Sequence, residues 1–144
     1  MSTEDNKKLV RRFNEGIMQY LIDGDVGDLY EICAPDLVHH GPGMPPDLEG
    51  FRQMGDMFRA AISDVEMDVE DIIAEGDRVV DRITVRGTHT GEFMGVPPSG
   101  KRFEIEEVHI ARIADGKIVE RWSHADFPGL MQQIGGMPAS PVTT

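Results

Sequence analysis

Several residue types are scarce in this 144-residue sequence, and each scarcity narrows the class of protein. A single cysteine, Cys33, excludes an internal disulfide and fits a reducing compartment. Lysine and arginine number only 14 against 26 acidic residues, which leaves a net charge of −12. Because that field repels phosphates and anionic lipid, we expect neither a nucleic acid nor a membrane as a partner.

The sequence also lacks the patterns of several common sites and segments. No apolar run approaches the roughly 20 residues that span a bilayer, and the charged N-terminus has no secretory h-region. None of the five histidines has the spacing of a HExxH or HxH metal motif, and there is no P-loop or dinucleotide fingerprint. We therefore expect a cytoplasmic protein with no metal and no cofactor.

Apolar residues at helical spacing predict three helices in the first half of the chain. The first begins after Ser2 or Thr3, either of which can cap it, and ends at Gly24. The second covers residues 25–33 and the third residues 49–62. A short strand and a Gly/Pro-rich loop lie between the second and the third helix.

After these helices the apolar period changes to two, which predicts antiparallel strands. Hairpin turns at EGD and ADGK separate them, and the last two strands cover residues 102–113 and 118–126. A short helix over PGLMQQIG follows. This order predicts one α+β domain over residues 1–135, with helices on the concave side of a curved antiparallel sheet. We expect residues 136–144 to form a flexible tail.

The phase of the last two strands predicts a pocket. On the first of them the odd positions are the more apolar, so Ile105 and His109 should face inward. On the last strand we assign the even face to the interior because it holds Trp122, and this brings His124 and Asp126 to the same side. The ADGK turn then places His109 opposite Trp122. We therefore predict one groove lined by His109, Trp122 and Asp126.

Two assignments stay open on the residues alone. His39 and His40 are adjacent in an extended segment, so they point to opposite faces and only one of them can enter the groove. Asp126 can transfer protons inside an apolar cavity, or it can cap the short C-terminal helix.

Three segments resemble the SnoaL-like polyketide cyclases of the NTF2-like superfamily. They read DLVHHGPG, GTHTGEFMGVPPSGKRFEIEEVHIARIADGKIVERW and DFPGLMQQIG, and the match runs in order from about residue 5 to residue 135. The resemblance implies a cone-shaped half-barrel, in which three N-terminal helices and a short C-terminal helix enclose a deep pocket. It also implies assembly as a homodimer or homotetramer.

The resemblance further implies a reaction, the cofactor-free intramolecular aldol ring closure of a small hydrophobic carbonyl substrate. Asp126 occupies the place of the family's catalytic aspartate and would exchange a proton with the substrate. His109 and one of the two adjacent histidines match pocket histidines, which would hydrogen-bond the carbonyl as it becomes an enolate. The catalytic residues predicted in this way are Asp126 and His109. The predicted substrate contacts are His39, His40, Trp122, His124 and Ile105.

Other functions remain open on the same fold, because fold does not fix function. The chain would then be an isomerase or an epoxide hydrolase, or a small-molecule binding protein without turnover. A binding protein becomes the better interpretation if Asp126 is committed to capping and lies outside the pocket.

Overall fold

A computed structural model describes residues 2–41 and 46–136 of the chain, and this part contains three α-helices and five β-strands. The helices are α1 (Thr3–Asp23), α2 (Leu48–Ala61) and α3 (Phe127–Ile134). The strands are β1 (Cys33–His40), β2 (Ile62–Glu75), β3 (Arg78–His89), β4 (Arg102–Ala114) and β5 (Lys117–Ala125). None of the described helices is long and apolar enough to cross a bilayer. Nearly all of the predicted tail, residues 136–144, lies outside the described residues.

The ends of α1 lie where their capping residues predict. The Ser2 side chain accepts the Asp5 backbone N–H at 3.1 Å, and the Asp5 carboxylate accepts the Ser2 backbone N–H in return. This capping box satisfies two backbone donors that a helix start otherwise leaves unpaired. Gly24 ends the helix in the left-handed conformation at a φ of 79°, and its N–H donates to the Tyr20 carbonyl.

The predicted second helix, residues 25–33, is wrong. Only a single 3₁₀ turn, Leu29–Glu31, forms there, and Cys33 already begins β1. Gly27 takes a φ of 47°, which α-helical geometry does not allow, and its N–H donates to the Asp25 carboxylate. Pairing of β1 with β5 then extends the chain from Cys33 onward.

The five strands form one sheet in the order β1-β5-β4-β3-β2. Strands β2 to β5 pair antiparallel, as predicted, whereas β1 lies parallel to β5 at the edge. One face of the sheet is buried under the helices and carries the core. The other face carries charge ladders in which Arg82 and Arg86 each bridge two carboxylates from neighbouring strands. The sheet is therefore two-sided, and strand phase decides which side chains meet the interior.

A bulge in β5 overturns the predicted phase of that strand. Ile113 pairs with Ile118, as the hairpin turn requires, but Arg112 pairs with Glu120, so Val119 has no partner on β4. One extra residue reverses the faces of everything that follows it. The even face points inward only at Ile118, and beyond Val119 the odd positions do so.

Trp122 consequently lies on the outer face of the sheet. It pairs with Ile110 of β4 and stacks on the His40 ring at a centroid distance of 5.2 Å. His109 lies opposite Ser123, not opposite Trp122. The predicted groove shared by His109, Trp122 and Asp126 is therefore wrong.

Candidate active site

A cavity of about 120 Å³ lies between the inner face of the sheet and the helices. A single water needs only about 10–15 Å³ of such space, so the cavity has room for an organic ligand. Most of its wall is apolar. The apolar wall includes Ile17, Phe51, Ile83, Phe103, Ile105 and Leu130. The polar side chains that line it include Tyr20 and Tyr30, and also Asn14, His39, Glu107, His109, Arg121 and Ser123.

His109 lies at the centre of this polar group and contacts a carboxylate with each ring nitrogen. Its Nδ1 is 2.8 Å from Asp81 Oδ1, and its Nε2 is 3.0 Å from Glu107 Oε1. The imidazole is buried and extends from β4, so both contacts have a fixed geometry. The predicted inward position of His109 is confirmed.

Asp81, which contacts Nδ1 of His109, is ionised. The Asn14 side-chain amide donates to Asp81 Oδ2 at 2.7 Å, and Asp81 is as buried as the histidine. Burial opposes ionisation of Asp81, but its two hydrogen-bond donors and the nearby Arg121 charge outweigh this effect and lower its pKa. An ionised carboxylate only accepts hydrogen bonds, so His109 Nδ1 carries a proton toward Asp81.

The contact between His109 and Glu107 then holds one shared proton. Because Nδ1 is already protonated, the Nε2 contact is either an imidazolium N–H donating to a carboxylate or a carboxylic acid donating to a neutral imidazole. The second oxygen of Glu107, Oε2, has no hydrogen-bond partner among residues 2–41 and 46–136. The pair therefore presents a hydrogen-bonded proton and a free carboxyl oxygen at the cavity wall.

The structure resolves the choice between the two adjacent histidines. His39 faces the cavity and packs on Phe51 at a centroid distance of 5.0 Å. His40 points to the outer face, where its Nε2 lies 2.7 Å from Glu120 Oε2. Of the two predicted contacts, only His39 can reach a ligand in the cavity.

His39 is neutral because of its surroundings. Burial, with repulsion from Arg121 and from the neighbouring histidines, lowers its pKa from 6.5 to about 3. Its Nδ1 is buried and has no hydrogen-bond partner among the described residues. A neutral imidazole can hydrogen-bond a carbonyl without adding charge.

His39 should make the protein less stable in acid. The unfolded state takes up a proton below pH 6.5, whereas the folded state does so only near pH 3, so the free energy of unfolding falls as pH drops through this window. One such proton contributes a slope of up to about 1.4 kcal/mol per pH unit. We expect His39→Gln to flatten the slope in urea unfolding at pH 4 to 7, and His124→Gln, a control at an exposed histidine, to leave it unchanged. Equal slopes in wild type and His39→Gln would contradict this account.

The remaining predicted site residues lie in different places. Ile105 belongs to the cavity wall, as predicted. Asp126 is exposed and caps α3, since its Oδ1 accepts the Gly129 backbone N–H at 2.9 Å. His124 is exposed and, like Trp122, lies on the even face of β5 that the bulge turns outward. The capping interpretation of Asp126 is confirmed, and Asp126, His124 and Trp122 are not among the residues that line the cavity.

Three functional candidates were missed, for different reasons. Asp81 lies on the buried face of β3 with Val79 and Ile83, so strand alternation alone indicates an inward acid. Glu107 shares the inward face of β4 with His109, and the same alternation predicts its position. Arg121 has no comparable signal, because its inward direction depends on the bulge at the start of β5.

The comparisons with known proteins agree with this fold and cavity. The model of the family described as SnoaL-like polyketide cyclase matches residues 8–134. The nogalonic acid methyl ester cyclase of Streptomyces nogalater is 34% identical over 119 residues, which are 78% of this chain and 87% of that protein.

Two solved structures are similar over nearly the whole chain. AclR, a putative hydroxylase from Streptomyces galilaeus, has a TM-score of 0.82 and 31% identity, over 97% of this chain and 87% of that one. A putative SnoaL-like polyketide cyclase from Jannaschia sp. CCS1 has a TM-score of 0.81 and 28% identity, over 94% and 95%. The chain belongs to the SnoaL-like polyketide cyclase family, and its fold is the NTF2-like α+β half-barrel that the sequence predicts.

Proposed function

We propose that this chain is a cofactor-independent cyclase that closes a ring in a polyketide-like ester by an intramolecular aldol reaction. The observation that carries the proposal is the His109–Glu107 contact at the cavity wall, with Asp81 behind the imidazole. Family membership and the relative that acts as a nogalonic acid methyl ester cyclase support this class of substrate. The apolar wall suits the hydrophobic body of such a molecule.

Glu107 is the proposed base of the first step. With the shared proton on His109, Glu107 is a carboxylate, and its uncommitted Oε2 can remove a proton from the carbon next to a carbonyl. The C–H electron pair becomes the enolate, and the proton stays on Glu107. Acid–base help of this kind contributes about 10²- to 10⁴-fold in rate.

His109 is the proposed acid of the second step. The enolate carbon attacks a second carbonyl of the same molecule, which forms the ring bond and leaves an alkoxide. A protonated Glu107 accepts the Nε2–H bond less well, so His109 can donate that proton to the alkoxide while Asp81 keeps the ring oriented. The proton on Glu107 then returns to His109, and the enzyme is restored with no net change in charge.

The acid–base role therefore moves from Asp126, which the family resemblance indicated, to the pair of Glu107 and His109. His39 is proposed to hydrogen-bond the carbonyl as it becomes an enolate, and Ile105 to contact the hydrophobic body of the substrate.

The proposal extends to assembly and location. A homodimer or homotetramer is supported by the apolar side chains that β2 exposes, since Val69 and Ile73 leave 43% and 63% of their surface open. A cytoplasmic location is supported by the use of only one cysteine, Cys33, which excludes an internal disulfide.

The proposed function can be tested by measuring whether the purified protein converts a polyketide ester. Purified protein should convert nogalonic acid methyl ester, or a related polyketide ester that carries a ketone in reach, into an isomer of unchanged mass. A product heavier by one oxygen would indicate a hydroxylase and contradict the proposal. Binding without conversion of any such ester would make the chain a binding protein.

A further inference from the structure

Arg121 is a buried charge that the fold leaves unpaired. Its side chain extends from β5 into the interior, where only 7% of the residue is exposed. It makes no hydrogen bond and no ion pair with any residue in the described ranges, 2–41 and 46–136. Burial lowers its pKa, an effect that Asp81 and Glu107 oppose, and an arginine remains protonated in proteins. A buried guanidinium with five free N–H donors is costly unless something pairs with it.

Two aromatic rings hold this guanidinium at the cavity. Its central carbon lies 5.0 Å from the centre of the Phe13 ring and 5.6 Å from that of Phe51. Such cation–π contacts stabilise the charge but leave the N–H donors free. Arg121 lines the cavity that holds His109 and Glu107, so the donors and the proton-transfer pair are available to the same ligand.

The geometry of a guanidinium selects its partner. Two of its N–H groups form a planar fork that matches a pair of oxygens in one plane, and the match is strongest when the pair carries a negative charge. A carboxylate is such a pair, and so is the enolate of a 1,3-dicarbonyl group. The enolate is also the charged species that the proposed ring closure generates beside Glu107.

We propose that Arg121 is a subsite for a planar anionic oxygen pair, and that the substrate places there a 1,3-dicarbonyl group that becomes an enolate. This inference rests on the proposed function for the identity of the group, but the subsite itself can be tested without turnover. Donors fixed in position by the protein stabilise such a charge more than water does, because they need no rearrangement.

The experiment measures binding of stable probes to the full chain by calorimetry at pH 7. The first probe is 2-acetyl-1,3-cyclohexanedione, which is an enolate at this pH, and its neutral control is the O-methyl enol ether of the same compound. Wild type should prefer the enolate. Arg121→Met keeps the side-chain length and should bind the enolate about 10- to 100-fold more weakly, with the enol ether unchanged. Arg121→Lys keeps the charge without the planar fork of N–H donors. Its affinity for the enolate should lie between those of wild type and Arg121→Met.

Three controls accompany this experiment: one for the folding of the variant, one for the kind of anion that binds and one for turnover. Binding of the enol ether by Arg121→Met shows that the cavity is intact, and benzoate as a third probe shows whether a carboxylate fills the subsite equally well. A Glu107→Gln and His109→Gln double variant should keep the preference for the enolate even though it loses turnover. Equal enolate affinity in wild type and Arg121→Met, or no preference in wild type, would overturn the subsite. Retained turnover in the double variant would instead overturn the proposed function and leave the subsite standing.

Discussion

Replacing Glu107 with glutamine should lower turnover about 10²- to 10⁴-fold, which is the contribution expected of a general base. Glutamine has nearly the same shape, but it cannot take a proton from carbon. Its side-chain NH₂ or carbonyl can still face His109 Nε2, so the cavity should keep its form. The measurement is kcat and KM on the ester that wild type converts.

The Michaelis constant of Glu107→Gln distinguishes a catalytic role of this residue from a binding role. Because Glu107 is proposed to act on the reacting carbon and not to bind the apolar body of the substrate, KM should stay within a few-fold of wild type. A variant with unchanged kcat would remove Glu107 from the mechanism. A large rise in KM with little loss of kcat would make Glu107 a binding residue instead.

Removing Asp81 should produce a large loss of stability. Asp81→Ala leaves the Asn14 amide and the His109 Nδ1–H without their acceptor, and it takes a negative charge from the surroundings of the buried Arg121. Breaking a buried charged pair typically costs about 3–5 kcal/mol. Since a domain is stable by only about 5–15 kcal/mol, we expect a clear fall in the urea midpoint at pH 7.

The matched control for this experiment is Asp71→Ala. Asp71 also accepts from a cation, Arg82, at 2.8 Å, but it lies on the exposed face of the sheet. Exposed pairs contribute about 0–1 kcal/mol, so this variant should unfold near wild type. Losses of equal size in the two variants would mean that the buried network does not stabilise the fold as described.

The pH dependence gives Asp81 a second signature. Its folded pKa is lowered below the ordinary value of 3.8, so its contribution is complete above that value and disappears as pH falls through the folded pKa. The difference in stability between wild type and Asp81→Ala should therefore be constant near neutrality and shrink in strong acid, as pH falls below 3.8. A difference that shrinks already between pH 7 and 5 would contradict the assignment.

Much of the fold could be predicted from local signals. The ends of α1 follow from Ser2 and Gly24, and the inward face of β4 follows from simple alternation. The second predicted helix failed because Gly27 takes a left-handed conformation and because the edge strand β1 pairs with a residue run some 80 positions away. Helical periodicity contains no information about such a distant partner.

The site was harder to predict because a register shift of one residue decides which side chains of β5 face the cavity. Apolarity favours Trp122 over Arg121 for the interior, and a regular hairpin would have placed it there. The unpaired Val119 reverses that choice, and Phe13 and Phe51 then accept the guanidinium as a neighbour. A valine at position 119 fits a regular strand as well as a bulge. The sequence therefore does not reveal the register shift.

The family resemblance pointed to a different acid, Asp126, by its place in the motif at the end of β5. Asp126 follows the bulged strand, and its carboxylate turns outward to cap α3, while Glu107 and His109 reach the cavity from the regular strand β4. The two carboxylates can be distinguished experimentally, because Asn is itself a good capping residue and Asp126→Asn should fold normally.

Exchange of the substrate's α-hydrogen with solvent deuterium, followed by NMR, tests the central claim most directly. Wild type and Asp126→Asn should exchange this hydrogen at the same rate, and Glu107→Gln should be slower by about 10²-fold or more. Normal exchange in Glu107→Gln together with its loss in Asp126→Asn would contradict the account and return the catalytic role to Asp126.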